Sequence, residues 1–133
     1  MQYILGLDIA KDKVDVVLRF PNSQSEYAQF ENNQGGFKKL WRFLKKRKAI
    51  SVHACMEATG TYYEKVAQFL AEKQVKVSVV NPARIKAYAM SQMARNKTDK
   101  IDATLIAHFC ETQSPPTWIP PTTECQELRM LVR

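Results

Sequence analysis

Alternating apolar and polar positions near the start of the chain predict a β-hairpin followed by a third strand. Tyr3 to Ile9 and Val14 to Arg19 are rich in β-branched and apolar residues, and a short polar turn separates them. The third strand is expected at Glu26 to Phe30, because the flanking clusters at 21–23 and 32–36 contain the Pro, Asn, Ser and Gly residues that interrupt strands.

Further along, strands and helices are expected to alternate. Val52 to Met56 is typical of a buried strand, and Val75 to Val79 alternates with polar residues. Apolar residues at helical spacing predict four helices, which begin near Phe37, Thr61, Asn81 and Thr98. The spacing of Thr61 and Glu64 indicates a capping box, and Asn81 and Thr98 are suitable helix caps.

This order of elements predicts an α/β fold. An antiparallel meander that leads into helix-covered strands matches the ribonuclease H-like architecture, a mixed five-stranded sheet flanked by helices. We expect one domain over residues 1–112 and a proline-rich, stiff connector over 113–122. Residues 123–133 have capping-box spacing at their start and predict a helix that leads into a further region of the natural protein.

Composition favours a polyanionic partner. The 133 residues include 20 Lys and Arg against 13 Asp and Glu, a net charge of +7, so nucleic acid is the first expectation and an anionic membrane surface the second. No apolar run approaches the roughly 20 residues of a spanning helix, and no cleavable signal precedes the first strand, which predicts a cytoplasmic protein without a membrane partner.

The cysteines predict neither disulfides nor a zinc site. Three widely spaced cysteines without a Cys-x-x-Cys pair are interpreted as reduced thiols. His53-Ala54-Cys55 and His108-Phe109-Cys110 have ligand types that suit zinc. The second pair falls on a predicted helix, where residues two apart point in different directions, so packing is the preferred interpretation.

Four acids are candidates for a divalent-metal site. Asp8 and Glu57 each follow a predicted strand, whereas Asp99 and Asp102 are three residues apart at the predicted start of a helix and would share one helix face. Hard carboxylate oxygens delivered by separate elements suit such a cation. Taken singly, three of these acids also have a structural interpretation: Asp99 complements a helix dipole, Asp8 braces a turn and Glu57 ends a strand. The dipole interpretation is weaker for Asp102, which lies beyond the first turn of the predicted helix.

The residues around these acids resemble a known family. Four motifs occur in order along the chain: Gly6 to Lys11, Met56 to Gly60, Asn81-Pro82 followed by Arg84, and Lys97 to Ala103. Together they resemble the N-terminal, RuvC-like domain of the DEDD transposases of bacterial insertion sequences, relatives of the Piv DNA invertases. The resemblance implies that Asp8, Glu57, Asp99 and Asp102 form an acidic tetrad that binds Mg²⁺ or Mn²⁺, with two ions expected.

The same resemblance implies a function and partners. Members of that family are recombinases that cut and rejoin DNA, many are guided by a structured noncoding RNA, and we expect a homo-oligomer of the full-length protein. A catalytic serine is implied in a C-terminal domain outside this chain, so the chain would hold half of a composite active site.

Basic residues beside the acidic motifs are candidates for nucleic-acid contact. They are Arg84, Lys86, Arg95, Lys97 and Lys100. The basic stretch from Lys38 to Lys48 fits a solvated helix face and a phosphate-binding surface equally well. Asp12 is interpreted as a turn residue and Asp15 as a strand-face acid close to the proposed site.

Other functions are compatible with parts of the pattern. A Holliday-junction-type nuclease would use the same metal chemistry with water as the nucleophile, and a non-catalytic nucleic-acid-binding or assembly module would need no metal. An actin-like phosphotransferase is disfavoured, because such enzymes need further glycine-rich phosphate loops and the chain has only four glycines.

Overall fold

A mixed sheet of five strands forms the centre of the protein. The computed structural model describes residues 2–49, 51–93 and 102–120. The elements in chain order are β1 (Tyr3–Ile9), β2 (Lys13–Arg19), β3 (Ser25–Glu31), α1 (Gln34–Lys46), β4 (Val52–Glu57), α2 (Glu64–Glu72), β5 (Lys76–Val80), α3 (Pro82–Met93) and α4 (Ala103–Gln113).

The strands lie in the order β3-β2-β1-β4-β5. Strands β1, β2 and β3 form an antiparallel meander, whereas β4 runs parallel to β1 and β5 parallel to β4. The carboxyl ends of β1, β4 and β5 therefore meet at one edge of the sheet, which we call the carboxyl edge. The predicted fold class, a mixed five-stranded sheet flanked by helices, is confirmed.

Helices cover both faces of the sheet because the strand residues alternate between two cores. On one face, Leu5, Leu7 and Met56 pack against α1 and α2, and we call this the α1/α2 face. On the other, Ile4 and Cys55 pack against α3 and α4, and we call this the α3/α4 face. Among the described helices, none combines the length and apolarity needed to span a lipid bilayer.

Two helices begin later than the sequence predicts. Helix α2 starts at Glu64 after an N-cap residue, Tyr63, whose backbone is already helical and whose side chain makes no capping hydrogen bond, so the predicted capping box at Thr61 is wrong. Helix α4 starts at Ala103 with Asp102 as its N-cap, so Asp102 precedes the helix instead of lying within it. The predicted cap Thr98 lies outside the described residues.

The proline-rich segment packs against the sheet. Ser114 ends α4 in the left-handed conformation, with φ of 43°. The backbone amide of Trp118 then donates to the carbonyl of Val77 at 2.6 Å, and the Ser78 hydroxyl lies 2.8 Å from the carbonyl oxygen of Pro116. Residues 115–118 thus pack against β5 at Val77 and Ser78. The division at 112, and the helix expected over 123–133, remain predictions.

Candidate metal centre at the carboxyl edge

Asp8 and Glu57 lie side by side on adjacent parallel strands. The register pairs Leu7 of β1 with Met56 of β4, and the two acids each follow by one residue. Because strand side chains alternate, both acids project on the α3/α4 face, at the carboxyl edge. Both are partly buried. The structure therefore brings together the first two acids that the sequence predicts.

Electrostatics at this pair favour a bound cation. Burial raises the pKa of Glu57 above its ordinary value, a hydrogen bond from Thr59 opposes that shift, and the negative charge of Asp8 adds to it. Two neighbouring carboxylates that are partly withdrawn from water repel each other, and a divalent cation would remove that repulsion. Their hard oxygen donors fit Mg²⁺ or Mn²⁺.

The raised pKa of Glu57 predicts how stability depends on pH without metal. The contribution of such a group to stability is fully present below its ordinary pKa of 4.5 and is lost as pH rises through the higher folded-state pKa. Glu57→Gln does not titrate, so we expect it to raise the free energy of unfolding of the metal-free protein at about pH 7, with the gain vanishing towards about pH 4.

Urea unfolding in EDTA at a series of pH values measures this effect. Glu72→Gln is the matched control, because Glu72 is exposed at the end of α2 and should show no such pH-dependent gain. A Glu57→Gln protein that is less stable than wild type at neutral pH would contradict the interpretation of Glu57 as a strained acid.

A glycine brings the start of α4 onto β1. A Cβ atom on Gly6 would lie 2.3 Å from the carbonyl oxygen of Ala103 and 2.5 Å from the amide nitrogen of Ala107, so any side chain at this position would force the two backbones apart. The N-cap Asp102 precedes this contact directly, and its Oδ1 accepts from the amide of Leu105 at 3.0 Å. The close approach places Asp102 on the same face of the sheet as Asp8.

The described residues contain part of the predicted tetrad. Within 2–49, 51–93 and 102–120, no three His, Cys, Asp or Glu side chains converge closely enough to hold a metal ion. Asp8 and Glu57 are neighbours, Asp102 lies on the same face, and Asp99 lies outside the described residues. Asp8 and Glu57, which we call the acidic pair, are thus the part of the candidate site that the described residues bring together.

Asp15, on β2, lies beside Asp8 of the neighbouring strand β1. The two residues are direct partners in the β1–β2 register. Asp15 Oδ1 accepts from the hydroxyl of Tyr27 at 2.9 Å and from Nε2 of Gln29 at 2.7 Å. The hydrogen bond between Tyr27 and Asp15 raises the pKa of Tyr27, and the charge of Asp8 contributes further. Sequence reasoning placed Asp15 near the site but missed Tyr27 and Gln29, whose roles depend on strand register.

Asn32 joins the two loops that follow the acid-bearing strands. Its Nδ2 donates to the carbonyl of Ala10, after β1, at 2.9 Å and to the carbonyl of Tyr62, after β4, at 3.1 Å. Its backbone amide also donates to the carbonyl of Asp12. The sequence marks Asn32 only as part of a strand break, yet this side chain fixes the relative position of the loops beside Asp8 and Glu57.

Two of the five predicted nucleic-acid contacts are described. Asn81 caps α3, its Oδ1 accepting from the amide of Ala83 at 2.7 Å, so this helix begins where β5 reaches the carboxyl edge. Arg84 is exposed in the first turn, with its guanidinium 5.5 Å from the centre of the Phe109 ring. Lys86 is also exposed. Arg95, Lys97 and Lys100 lie outside the described residues.

The two His-x-Cys motifs meet in the core on the α3/α4 face, where Cys55 and Cys110 are neighbours, but their histidines have different partners. His53 Nε2 lies 2.6 Å from the hydroxyl of Ser78, whereas His108 is hydrogen-bonded to Tyr88. Cys55 and Cys110 are free, buried thiols, and Cys125 lies outside the described residues. A hydrogen bond with Cys55, followed by burial, raises the pKa of Cys110 and keeps that thiol protonated.

Known proteins resemble this chain in both sequence and fold. Residues 5–133 match the family model of the IS110-type DEDD transposases. The pilin gene-inverting proteins of Moraxella bovis and Moraxella lacunata are 39% and 38% identical over 131 residues, which are 97% of this chain and 40% of each relative. The chain therefore spans well under half the length of these relatives.

A solved structure supports the fold. The T. thermophilus RuvC in complex with a Holliday junction substrate superposes with a TM-score of 0.58 at 9% identity, covering 88% of this chain and 99% of that one. At this identity the likeness establishes a shared ribonuclease H-like fold. With the family match over almost the whole sequence, it follows that this chain belongs to the IS110-type DEDD transposase family.

Proposed function

We propose that this chain is the metal-dependent catalytic domain of a DNA transposase or recombinase. The observation that carries the proposal is the pairing of Asp8 with Glu57 at the carboxyl ends of two adjacent parallel strands. At the same place, the absence of a side chain on Gly6 lets the start of α4, with its N-cap Asp102, pack closely on β1. Family membership supports a DNA-cutting role, and divalent-metal use is general among enzymes with this fold and acidic signature.

The ligands proposed for the metal are Asp8, Glu57, Asp99 and Asp102. Mg²⁺ or Mn²⁺, as two ions, would supply charge neutralisation at the scissile phosphate and activation of the attacking oxygen. The protein's own contribution is to hold the acids in position: the sheet register fixes Asp8 beside Glu57, and Asn32 fixes the loops that follow them. Asp15, the register partner of Asp8, adds a further carboxyl group beside it.

DNA is the proposed substrate. Arg84 and Lys86, with Arg95, Lys97 and Lys100, would bind its phosphates near the cut, so affinity should fall as salt is raised. Rejoining the cut strands would require the serine-bearing region implied by the family resemblance. A structured noncoding guide RNA and a homo-oligomer complete the proposed partners, and a DNA-acting enzyme of this kind would work in the cytoplasm.

Two substitutions of Asp102 test its metal role against its capping role. Asp102→Asn keeps an oxygen that can accept from the amide of Leu105, whereas Asp102→Ala removes the cap and should lower the free energy of unfolding by about 0.5–2 kcal/mol. We expect both variants to lose most of the Mn²⁺-induced rise in melting temperature and most DNA cleavage.

Wild type should gain about 2.7 kcal/mol of stability when Mn²⁺ is at a hundred times its dissociation constant. Melting temperature with EDTA or Mn²⁺, and gel-based cleavage of linear and branched DNA, are the measurements. If Asp102→Asn matched wild type in both assays, Asp102 would be only a helix cap. Metal-dependent cutting of branched DNA with no rejoined product from the full-length protein would instead favour a junction nuclease.

A further inference from the structure

From residue 38 onwards, the exposed side of helix α1 is made only of cations. Its apolar residues, including Phe37, Leu40 and Leu44, are buried against the sheet. Every exposed position between 38 and 46 is a lysine or an arginine, and the helix contains no acidic residue. We call these exposed residues the α1 basic face; they are Lys38, Lys39, Arg42, Lys45 and Lys46.

Within the described ranges, no salt bridge involves this face. The ion pairs there are Arg19 with Glu111 and Arg47 with Glu26, and neither involves the α1 basic face. Arg47 turns away to stack on Phe43, with its guanidinium 3.7 Å from the ring centre. Like charges three and four residues apart on a helix repel each other, so the face destabilises α1 unless an anion covers it.

The face has the length and shape of a backbone-binding surface. From Lys38 to Lys46 the helix rises about 12 Å, and that length of duplex DNA carries about seven phosphate charges. The side chains of Lys39, Arg42 and Lys45 line a surface depression of about 600 Å³ next to Phe43. The row of cations on this helix therefore has a length and charge that suit the regularly spaced phosphates of a DNA backbone.

The α1 basic face and the acidic pair lie on opposite faces of the sheet. Helix α1 packs on the core that contains Leu5 and Leu7, whereas Asp8 and Glu57 project on the α3/α4 face. A straight duplex that enters the acidic site therefore cannot also lie along α1. Recombination joins two duplexes, so a recombinase needs a second DNA-binding surface besides its cleavage site. The α1 basic face could serve as that surface.

We propose that the α1 basic face binds the phosphate backbone of a duplex DNA segment different from the one that enters the acidic site. The proposal rests on the proposed function, because a DNA recombinase must hold two duplexes. Binding is independent of base sequence, since the contacts are to phosphates alone, and it requires no metal.

Charge reversal on α1 tests the proposal by DNA binding. The ligand is a labelled random-sequence duplex of about 30 base pairs in EDTA, with anisotropy measured at several salt concentrations. We expect Lys38→Glu/Arg42→Glu to weaken binding by about tenfold or more and to reduce the slope of log K against log salt by about two. Its melting temperature should not fall, because repulsion on α1 is relieved.

A matched control reverses two cations elsewhere. Lys65→Glu/Lys76→Glu changes the net charge equally at exposed positions of α2 and β5 and should weaken binding by less than about threefold. Equal losses in the two double variants, or no loss on α1, would overturn the proposal. A loss confined to a structured RNA ligand, with duplex DNA unaffected, would overturn it in favour of an RNA surface.

A bridging assay separates this inference from the proposed function. In an Asp8→Asn background, which prevents cutting, the protein is bound to a bead-linked duplex and offered a second labelled duplex. The α1 variant should retain the first duplex and lose capture of the second, while the control variant captures both. If Asp8→Asn itself still cuts DNA, the proposed metal site fails while the α1 result stands.

Discussion

Asp8→Asn is expected to reduce metal-dependent DNA cleavage roughly a thousandfold, the largest effect of any single substitution in the described site. Asp8 is next to Glu57 across the β1–β4 register and next to Asp15 across the β1–β2 register, so it lies at the centre of the acidic group. An amide in its place is a weaker ligand for a hard cation and leaves Glu57 without its partner charge.

Single-turnover cleavage and Mn²⁺-dependent melting report the two consequences separately. Asp12→Asn is the matched control, since the same chemical change four residues away affects an exposed turn residue whose backbone, and not its carboxylate, bonds to Asn32. It should cut DNA at close to the wild-type rate. If Asp8→Asn cut DNA at the wild-type rate and its melting temperature rose with Mn²⁺ as in wild type, Asp8 would not be a metal ligand.

Gly6→Ala is expected to lower the free energy of unfolding by about 3 kcal/mol or more. The new methyl group would lie 2.3 Å from the Ala103 carbonyl oxygen and 2.8 Å from the Ala107 Cβ. The nearest obstacle is helix backbone, which cannot rotate away as a flexible side chain can. The strain is relieved only if the start of α4 lifts from β1, and that movement carries Asp102 away from Asp8.

Urea unfolding of matched variants checks this prediction. Gly35→Ala is the control, because its Cβ would meet nothing closer than Asn33 Oδ1 at 3.4 Å. It should be neutral or slightly stabilising in the first turn of α1. Adding Ala107→Gly to Gly6→Ala should restore only a small part of the loss, since the Ala103 oxygen is unaffected. Full recovery would show that side-chain crowding, and not the backbone, limits the approach.

The sheet could be predicted from sequence because its signal is local. Tyr3 to Ile9 and Val52 to Met56 contain their strand patterns within a few residues, and the structure has β1 and β4 at the same places, with β4 extended by Glu57. Parallel pairing of these strands then brings Asp8 next to Glu57. The first half of the candidate site therefore follows from pattern and topology.

Helix starts and close approaches depend on distant residues and were harder to predict. Thr61 has suitable capping chemistry, yet α2 begins only at Glu64 after a turn. The contact of Gly6 with Ala103 joins residues almost a hundred positions apart, and nothing in either local pattern predicts it. Tyr27 and Gln29 converge on Asp15 only because the β2–β3 register aligns them.

The chain segment that packs against β5 has a consequence for assembly. An outer strand normally offers its backbone groups to a strand from another molecule, which can lengthen the sheet across an interface. On β5 one such group, the carbonyl of Val77, already accepts from the amide of Trp118, and the carbonyls of Pro115 and Pro116 hold the same segment in place by accepting from the Ser78 hydroxyl. A second copy of the protein could pair with β5 only after displacing this segment. The other edge strand, β3, is therefore more accessible for intermolecular pairing.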